Sequence, residues 1–446
     1  MRILLRYLLT FVLSACPALM YAQQRFTALV FRHANVISMS GGEVLPDRDV
    51  LIEGGVIKTI SAGRLKVGRN TLEIPARGRF LIPGLADMHI HTDFGDEQQL
   101  QLYLIHGVTT ALDLNGSARD LEWRRRIAAG ELLGPTLYVA GGILDGDPKR
   151  PDHVFVKDRE SAQRIVRQQA EAGYDFVKPY SSLTSEAYYG ILEAAKQNHL
   201  RVVGHVPRAV GVENVLRARQ DAIAHYEELY RYFVDRSTAP FDAKPDPARI
   251  PALIQEIRGN QVWIISTLSA MTNILDQATD LGSVLSRPEM KMVPASYLRE
   301  CKTDDPYANK PKSWVVQNQI TVPFLFQLAG KLNEGNVPLM AGTDATNPIQ
   351  IPGASMHDEL EVLVRTGLSP YQALLAATRN PALFLNRNAG TVAEGEIAEL
   401  VLLDASPLGD IKNTRKIRGV VKGSIWLDQT AIRRLKNRLI DHFAKE

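Results

Sequence analysis

Between Pro83 and Asn388 the chain repeats one pattern: a short β-rich run, a loop, then a helix-prone stretch. The runs are the one at His89, Val108–Asp113, Pro135–Ala140, Tyr174–Lys178, Leu200–His205, Asp221–His225, Gln261–Thr267 and Val337–Asp344. Strands that alternate with helices must pair in parallel through crossover connections. Eight such units predict an α/β fold of the (β/α)8 barrel type. Residues 26–83 read differently, as short strands broken by Gly41-Gly42 and Gly54-Gly55, and strand-like runs return from Ala389 to Asp428. The two segments are expected to join into one small β-sandwich beside the barrel.

The domain reading follows. Residues 1–22 are a signal peptide, 23–83 and 389–428 the two parts of the sandwich, 84–388 the barrel, and 429–446 a C-terminal amphipathic helix. In that helix Ile432, Leu435, Leu439, Ile440 and Phe443 share one side. Docking on the body and contact with a membrane surface are both open to it. At the N-terminus, Arg2 and Arg6 precede an apolar run too short to span a membrane, and Ala22 offers a small residue for cleavage. A competing reading takes Leu13-Ser-Ala-Cys16 as a lipoprotein signal, leaving Cys16 as a lipid anchor. Either reading sends the chain out of the cytoplasm, to the periplasm, the medium or a membrane anchor. Cys301 would then have no partner for a disulfide. The formal charge of +3 over 446 residues gives no footprint for nucleic acid.

In a barrel of this kind the chemistry sits where the strands end. Five of the eight strands deliver a metal-ligand type there: His89 and His91, Lys178, His205, His225 and Asp344. Along a strand, residues i and i+2 leave the same face, so the two imidazoles of His89-Ile-His91 emerge together. Each residue alone has an ordinary account, as a solvated lysine, a core histidine or a turn aspartate. Their joint placement at corresponding ends is what points to a metal site. Tyr180, Arg208 and Tyr226 lie close by in sequence and are weaker candidates for substrate contacts; Arg208 has the fork geometry to grip a carboxylate. His357 opens a helix after the last strand, while His33, His153, His199 and His442 carry no such context. Two irregular stretches, Gly141–Asp158 and Met271–Trp314, interrupt the pattern, and the second, with four prolines, is expected to overhang the mouth as a lid.

The chain resembles the amidohydrolase superfamily of metal-dependent hydrolases, and most of all its prolidase and imidazolonepropionase-like branch. The resemblance runs from about Ala34 to Asp428. It is carried by Pro83-Gly-Leu-Ala-Asp-Met-His-Ile-His, Gly107-Val-Thr-Thr, Phe176-Val-Lys, Gly204-His-Val-Pro, Ile223-Ala-His, Ala341-Gly-Thr-Asp and Ala376-Ala377-Thr378 with Asn380-Pro381-Ala382. It implies two divalent metal ions, with zinc foremost and manganese, cobalt or iron equally suited to such donors. His89, His91 and Asp344 would hold one ion and His205 and His225 the other. Lys178 would bridge them as a carbamate formed with carbon dioxide, since a lysine ammonium has no lone pair to offer. A metal-bridging hydroxide would attack the carbonyl, and Asp344 would be the catalytic proton carrier. The implied substrate is a small amide, dipeptide-like compound or cyclic amide cut at a carbon–nitrogen bond. A mononuclear deaminase, with Lys178 structural, and a non-catalytic binding protein on the same scaffold are the alternatives. The sequence is compatible with assembly into homo-oligomers.

Overall fold

The computed structural model describes residues 24–234, 244–346 and 349–446. The expected signal peptide, and the alternative lipid anchor at Cys16, therefore lie outside the described residues. Within them the expected barrel is present. Its strands are Leu85–Ile90, Val108–Asp113, Thr136–Val139, Phe176–Val177, Arg201–Gly204, Ala222–Ala224, Trp263–Ser266 and Leu339–Ala341. Neighbours pair in parallel, with Ala111 opposite Leu137, Val177 opposite Val202 and Ile265 opposite Met340. Two single bridges, Ala140 with Phe176 and Ile90 with Ala345, close the ring between the third and fourth strands and between the eighth and first.

The first two strands are buried along their whole length, as parallel strands covered on both faces must be. The surrounding helices show why their sequences stop and start where they do. Arg159–Ala172 begins at Asp158, whose side chain accepts from the Ser161 N–H at 2.9 Å, and ends at Gly173 with φ 88°. Ala162, Ile165 and Val166 recur at helical spacing and face inward. Burying a side chain the size of Ile or Val contributes about 1.5–3 kcal/mol.

The N- and C-terminal segments form one nine-stranded sheet. Glu399–Leu403 pairs on one side with Ile417–Lys422 and on the other with Phe80–Pro83, placing Val401 opposite Ile82. The long strand Ala28–Ile37 bends at His33, where φ is 60°, and uses one edge twice: Leu29–Arg32 pairs with Leu72–Pro75, and Asn35–Val36 with Phe80–Leu81. The sheet then curls until Val56–Ser61 meets the run before Glu399, with the Ile57 N–H donating to Glu396 O at 2.9 Å. The enclosed core includes Phe31 and Trp426, edge to face at 5.5 Å. The small β domain thus has a sandwich-like core built from one continuous sheet. Glu399 bolts it to the barrel: its carboxylate is buried, paired with Arg387 at 3.1 Å and with Lys422, and accepts from Thr136 and Thr110 of the barrel at 2.8 and 3.1 Å.

Met271–Trp314 is largely helical, which corrects the expectation of an irregular loop. It contains most of Leu268–Leu285, a 3-10 turn Pro288–Met292, the helix Ala295–Thr303 and the start of Lys312–Glu334. Three of its four prolines begin helices: Pro288 lies in the first turn, and Pro294 and Pro311 are the residues just before their helices. Cys301 is buried there without a disulfide. The C-terminal helix Gln429–Phe443 buries Leu435, Leu439 and Phe443 against the body, with the Phe443 ring 5.9 Å from Phe94. His442 pairs with Asp96 at its end. Among the described residues no helix is long and apolar enough to cross a membrane.

Candidate metal centre

All six donor-type residues line one cavity of about 320 Å³ at the C-terminal ends of the barrel strands. His89 is the penultimate residue of the first strand and His91 follows its end; their rings are 5.3 Å apart. Asp344 lies just past the eighth strand with φ 60°, and its N–H donates to His89 O at 2.8 Å. That bond holds its carboxylate over both imidazoles, with Oδ1 3.1 Å from Nε2 of His89 and of His91. Beneath them Asp87 ties the same two strands, accepting from the Thr343 N–H at 3.0 Å and the Thr343 hydroxyl at 2.6 Å. Lys178 Nζ is 3.1 Å from His89 Nε2. The His225 ring is 4.5 Å from that of His89 and 4.7 Å from that of His205. His225 has φ 71°, so two of the six sit in the left-handed region that non-glycine residues seldom occupy.

The partners on the far side of these rings matter as much. Glu228 Oε1 is 2.8 Å from His205 Nδ1, and Thr267 Oγ1 is 2.7 Å from His225 Nδ1. With Nδ1 carrying the proton, each ring keeps its Nε2 lone pair for the cavity. Burial, reinforced by the Lys178 charge, pushes His89 and His205 well below the usual imidazole range. Burial takes His225 down to about 3 against the opposing pull of Asp344. For His91 burial is outweighed by the Asp344 hydrogen bond and charge, which raise it. Burial lowers Lys178 to about 8 although Asp344, Asp113 and Glu228 pull the other way. Its neutral amine, the form with a lone pair able to add to carbon dioxide, is therefore accessible near neutrality.

This donor set fits cations. Nitrogen and oxygen lone pairs are crowded together, and donor atoms of His89, His91 and Asp344 all lie within 4.8 Å of one another. His89 Nδ1 is buried without a hydrogen-bond partner among the described residues, so the ring meets its polar neighbours, Lys178 and Asp344, through Nε2 alone. A second group, Asp96, His442 and Glu446, is similarly close but lies under the C-terminal helix, away from the cavity.

The substrate candidates fare unequally. Tyr180 lines the cavity, its ring 4.1 Å from that of His205. Arg208 is exposed and does not line it. Tyr226 is 1% exposed and packed in the barrel core, because the residue after His225 turns away from the cavity. His357 is buried too, with Nδ1 3.0 Å from Thr414 Oγ1 and no place in the cavity lining.

Sequence reading missed Asp93, Arg150, Asp152, His153, Glu227 and Tyr307, all of which line the space. Arg150, Asp152 and His153 arrive on the Gly141–Asp158 stretch, which is pinned by the short parallel pair Leu144–Asp145 and Val154–Phe155. His153, given no special role from the sequence, sits with Nδ1 3.2 Å from Asp145 and its ring 4.7 Å from Tyr180. Tyr307 comes from the long insertion before the eighth strand. For the residues on these two insertions the usable signal was the length of the insertions; Asp93 and Glu227 instead lie two residues beyond His91 and His225.

Among known proteins, imidazolonepropionase of Alkaliphilus metalliredigens (strain QYMF) is 21% identical over 411 residues, covering 81% of this chain and 85% of that protein. Adenine deaminase of Chelativorans sp. (strain BNC1) is 27% identical over 206 residues, 40% of this chain and 32% of the deaminase. The chain thus spans about a third of that relative's length. A crystal structure of a Xaa-Pro dipeptidase with bound methionine in the active site superposes with a TM-score of 0.69 at 19% identity, covering 90% of this chain and all of that one, and so shares its fold. The family model described as Amidohydrolase family matches residues 80–426, and with the barrel, the two-part β domain and the converging donors in place, the chain belongs to the amidohydrolase family.

Proposed function

We propose that this protein is a metal-dependent hydrolase that cuts a carbon–nitrogen bond in a small amide, dipeptide-like compound or cyclic amide. The observation that carries the reading is the convergence of His89, His91, Lys178, His205, His225 and Asp344 on one cavity from five different strands. His89, His91 and Asp344 would hold one divalent ion, zinc foremost, and His205 and His225 a second, with Lys178 spanning them once carboxylated. Bound cations supply Lewis acidity and make water a nucleophile near neutral pH. The protein's own residues do the rest. Glu228 fixes the tautomer of His205, Thr267 holds the His225 ring, and Asp87 fixes the spacing of the first and eighth strands. The Asp344 carboxylate takes a proton from the attacking water and hands it to the leaving nitrogen. A cavity of about 320 Å³ suits a small molecule.

The similarity to adenine deaminase supports a second reading, deamination at a single ion with Lys178 structural. Elemental analysis separates the two: two ions per chain favour the bridged site and one favours the deaminase. The deciding assay is a panel of N-acyl amino acids, dipeptides and cyclic amides on metal-analysed protein. Two bound ions with no hydrolysis across the panel would reject the hydrolase. The charged and apolar run of residues 1–22 supports an exported protein, tested by fractionating cells that express the full chain.

A further inference from the structure

Apart from the six donors, the charged groups lining the cavity are Asp93, Arg150, Asp152 and Glu227. Three of them are already engaged. Asp93 accepts from the Thr346 hydroxyl at 3.0 Å. Arg150 grips Asp152 through two contacts, at 3.1 and 2.7 Å, so each cancels the other's charge. Glu227 differs. Its Oε2 is shielded from solvent and has no hydrogen-bond partner among the described residues. Its Oε1 approaches His225 Nδ1 only to 3.6 Å, because that nitrogen is bonded to Thr267. The side chain is 32% exposed where it lines the cavity, and a carboxyl oxygen without a donor is costly until one arrives.

We propose that Glu227 is a specificity-determining residue that holds a protonated amino group of the substrate. The inference rests on the hydrolase reading and narrows it: the amide carries a basic nitrogen close to the scissile carbonyl. The pairing of Arg150 with Asp152 leaves the acidic wall, rather than the guanidinium, to do the selecting. An ammonium donates to Glu227, whereas an acylated nitrogen at the same place is uncharged and bulkier and leaves the carboxylate unpaired.

The test uses the full-length, metal-loaded protein and matched aminoacyl amides, each with a free α-amine or an N-acetyl group. The wild type is expected to favour the free amine by tenfold or more in kcat/KM, chiefly through KM. Glu227→Gln should reduce that ratio at least tenfold, and Glu227→Asp, which keeps the charge, should retain most of it. A wild type indifferent to acetylation, or a ratio unchanged in Glu227→Gln, overturns the proposal. If neither form is hydrolysed, the inference is judged by calorimetry with alaninamide and N-acetylalaninamide, and the hydrolase reading by the wider panel of amides, dipeptides and cyclic amides. Tighter binding of the free amine by the wild type, lost in Glu227→Gln, supports it; equal binding overturns it.

Discussion

Glu228 and His205 meet at 2.8 Å, carboxylate oxygen to Nδ1, and the same carboxylate is held by Arg231 at 2.8 Å. The acid orients the ring and makes its other nitrogen a better donor. Glu228→Gln keeps the shape but removes the charge. It is expected to weaken metal binding at the His205 side by about 10- to 100-fold. Titration of apoprotein with zinc in a competing chelator measures this, and unchanged affinity would make Glu228 a packing residue.

Lys178→Met removes the side chain proposed to span two ions once carboxylated. One ion per chain is expected by elemental analysis, with hydrolysis lost. In the wild type, reconstitution with metal in buffer stripped of carbon dioxide should give poor activity that bicarbonate restores. Two tightly held ions in the variant would refute the bridge.

Asp344→Asn keeps an oxygen near His89 and His91 but removes the proposed proton carrier. Turnover is expected to fall by about a hundred- to ten-thousandfold, with part of the metal retained. Near-normal kcat in metal-matched samples would exclude the assigned role.

Gly342 leaves no room for a side chain: a Cβ there would lie 2.8 Å from His89 Cβ and 2.9 Å from His89 N. Gly342→Ala must push the first strand away from the eighth. The expected cost is about 1–3 kcal/mol of stability, with a larger loss of metal affinity because His89 moves. Denaturant unfolding and zinc titration of one sample read both.

Glu399 is buried, yet the cations of Lys422 and Arg387 prevail over that burial and hold its carboxyl far below the usual range. A depressed carboxyl stabilises the fold above its unfolded value of about 4.3, and that stability is lost as pH falls toward the folded value. Glu399→Gln is expected to cost about 3–5 kcal/mol near neutrality, since two buried cations lose their partner. The gap in urea midpoint between wild type and variant should hold from pH 8 to about 5 and narrow below about 4. A gap that is flat through pH 3 would rule out this ion pairing as its source.

What could be read from the sequence was what repeats or alternates. The strand ends bearing His89, Lys178, His205, His225 and Asp344 follow from apolar runs that stop at a polar residue, and barrel geometry places those stops on one rim. Thr267 and Glu228 escaped because they act across strands, on neighbours 42 and 23 residues away. Tyr226 was misjudged for a local reason: adjacency to His225 in sequence is not adjacency in space once the backbone turns at φ 71°. The Met271–Trp314 stretch looked irregular because proline breaks helix interiors, but at a helix start its fixed φ is an advantage.

The pairing of Val401 with Ile82 joins positions more than three hundred residues apart, and the strand containing Ile82 runs straight into the one bearing His89. A ribosome-bound fragment ending before Glu399 would carry Phe80–Pro83 with one ladder edge bare, a template for pairing with another chain. Closure of that edge therefore waits on the strands from Glu399 onward, and until they are made the edge is open to mispairing.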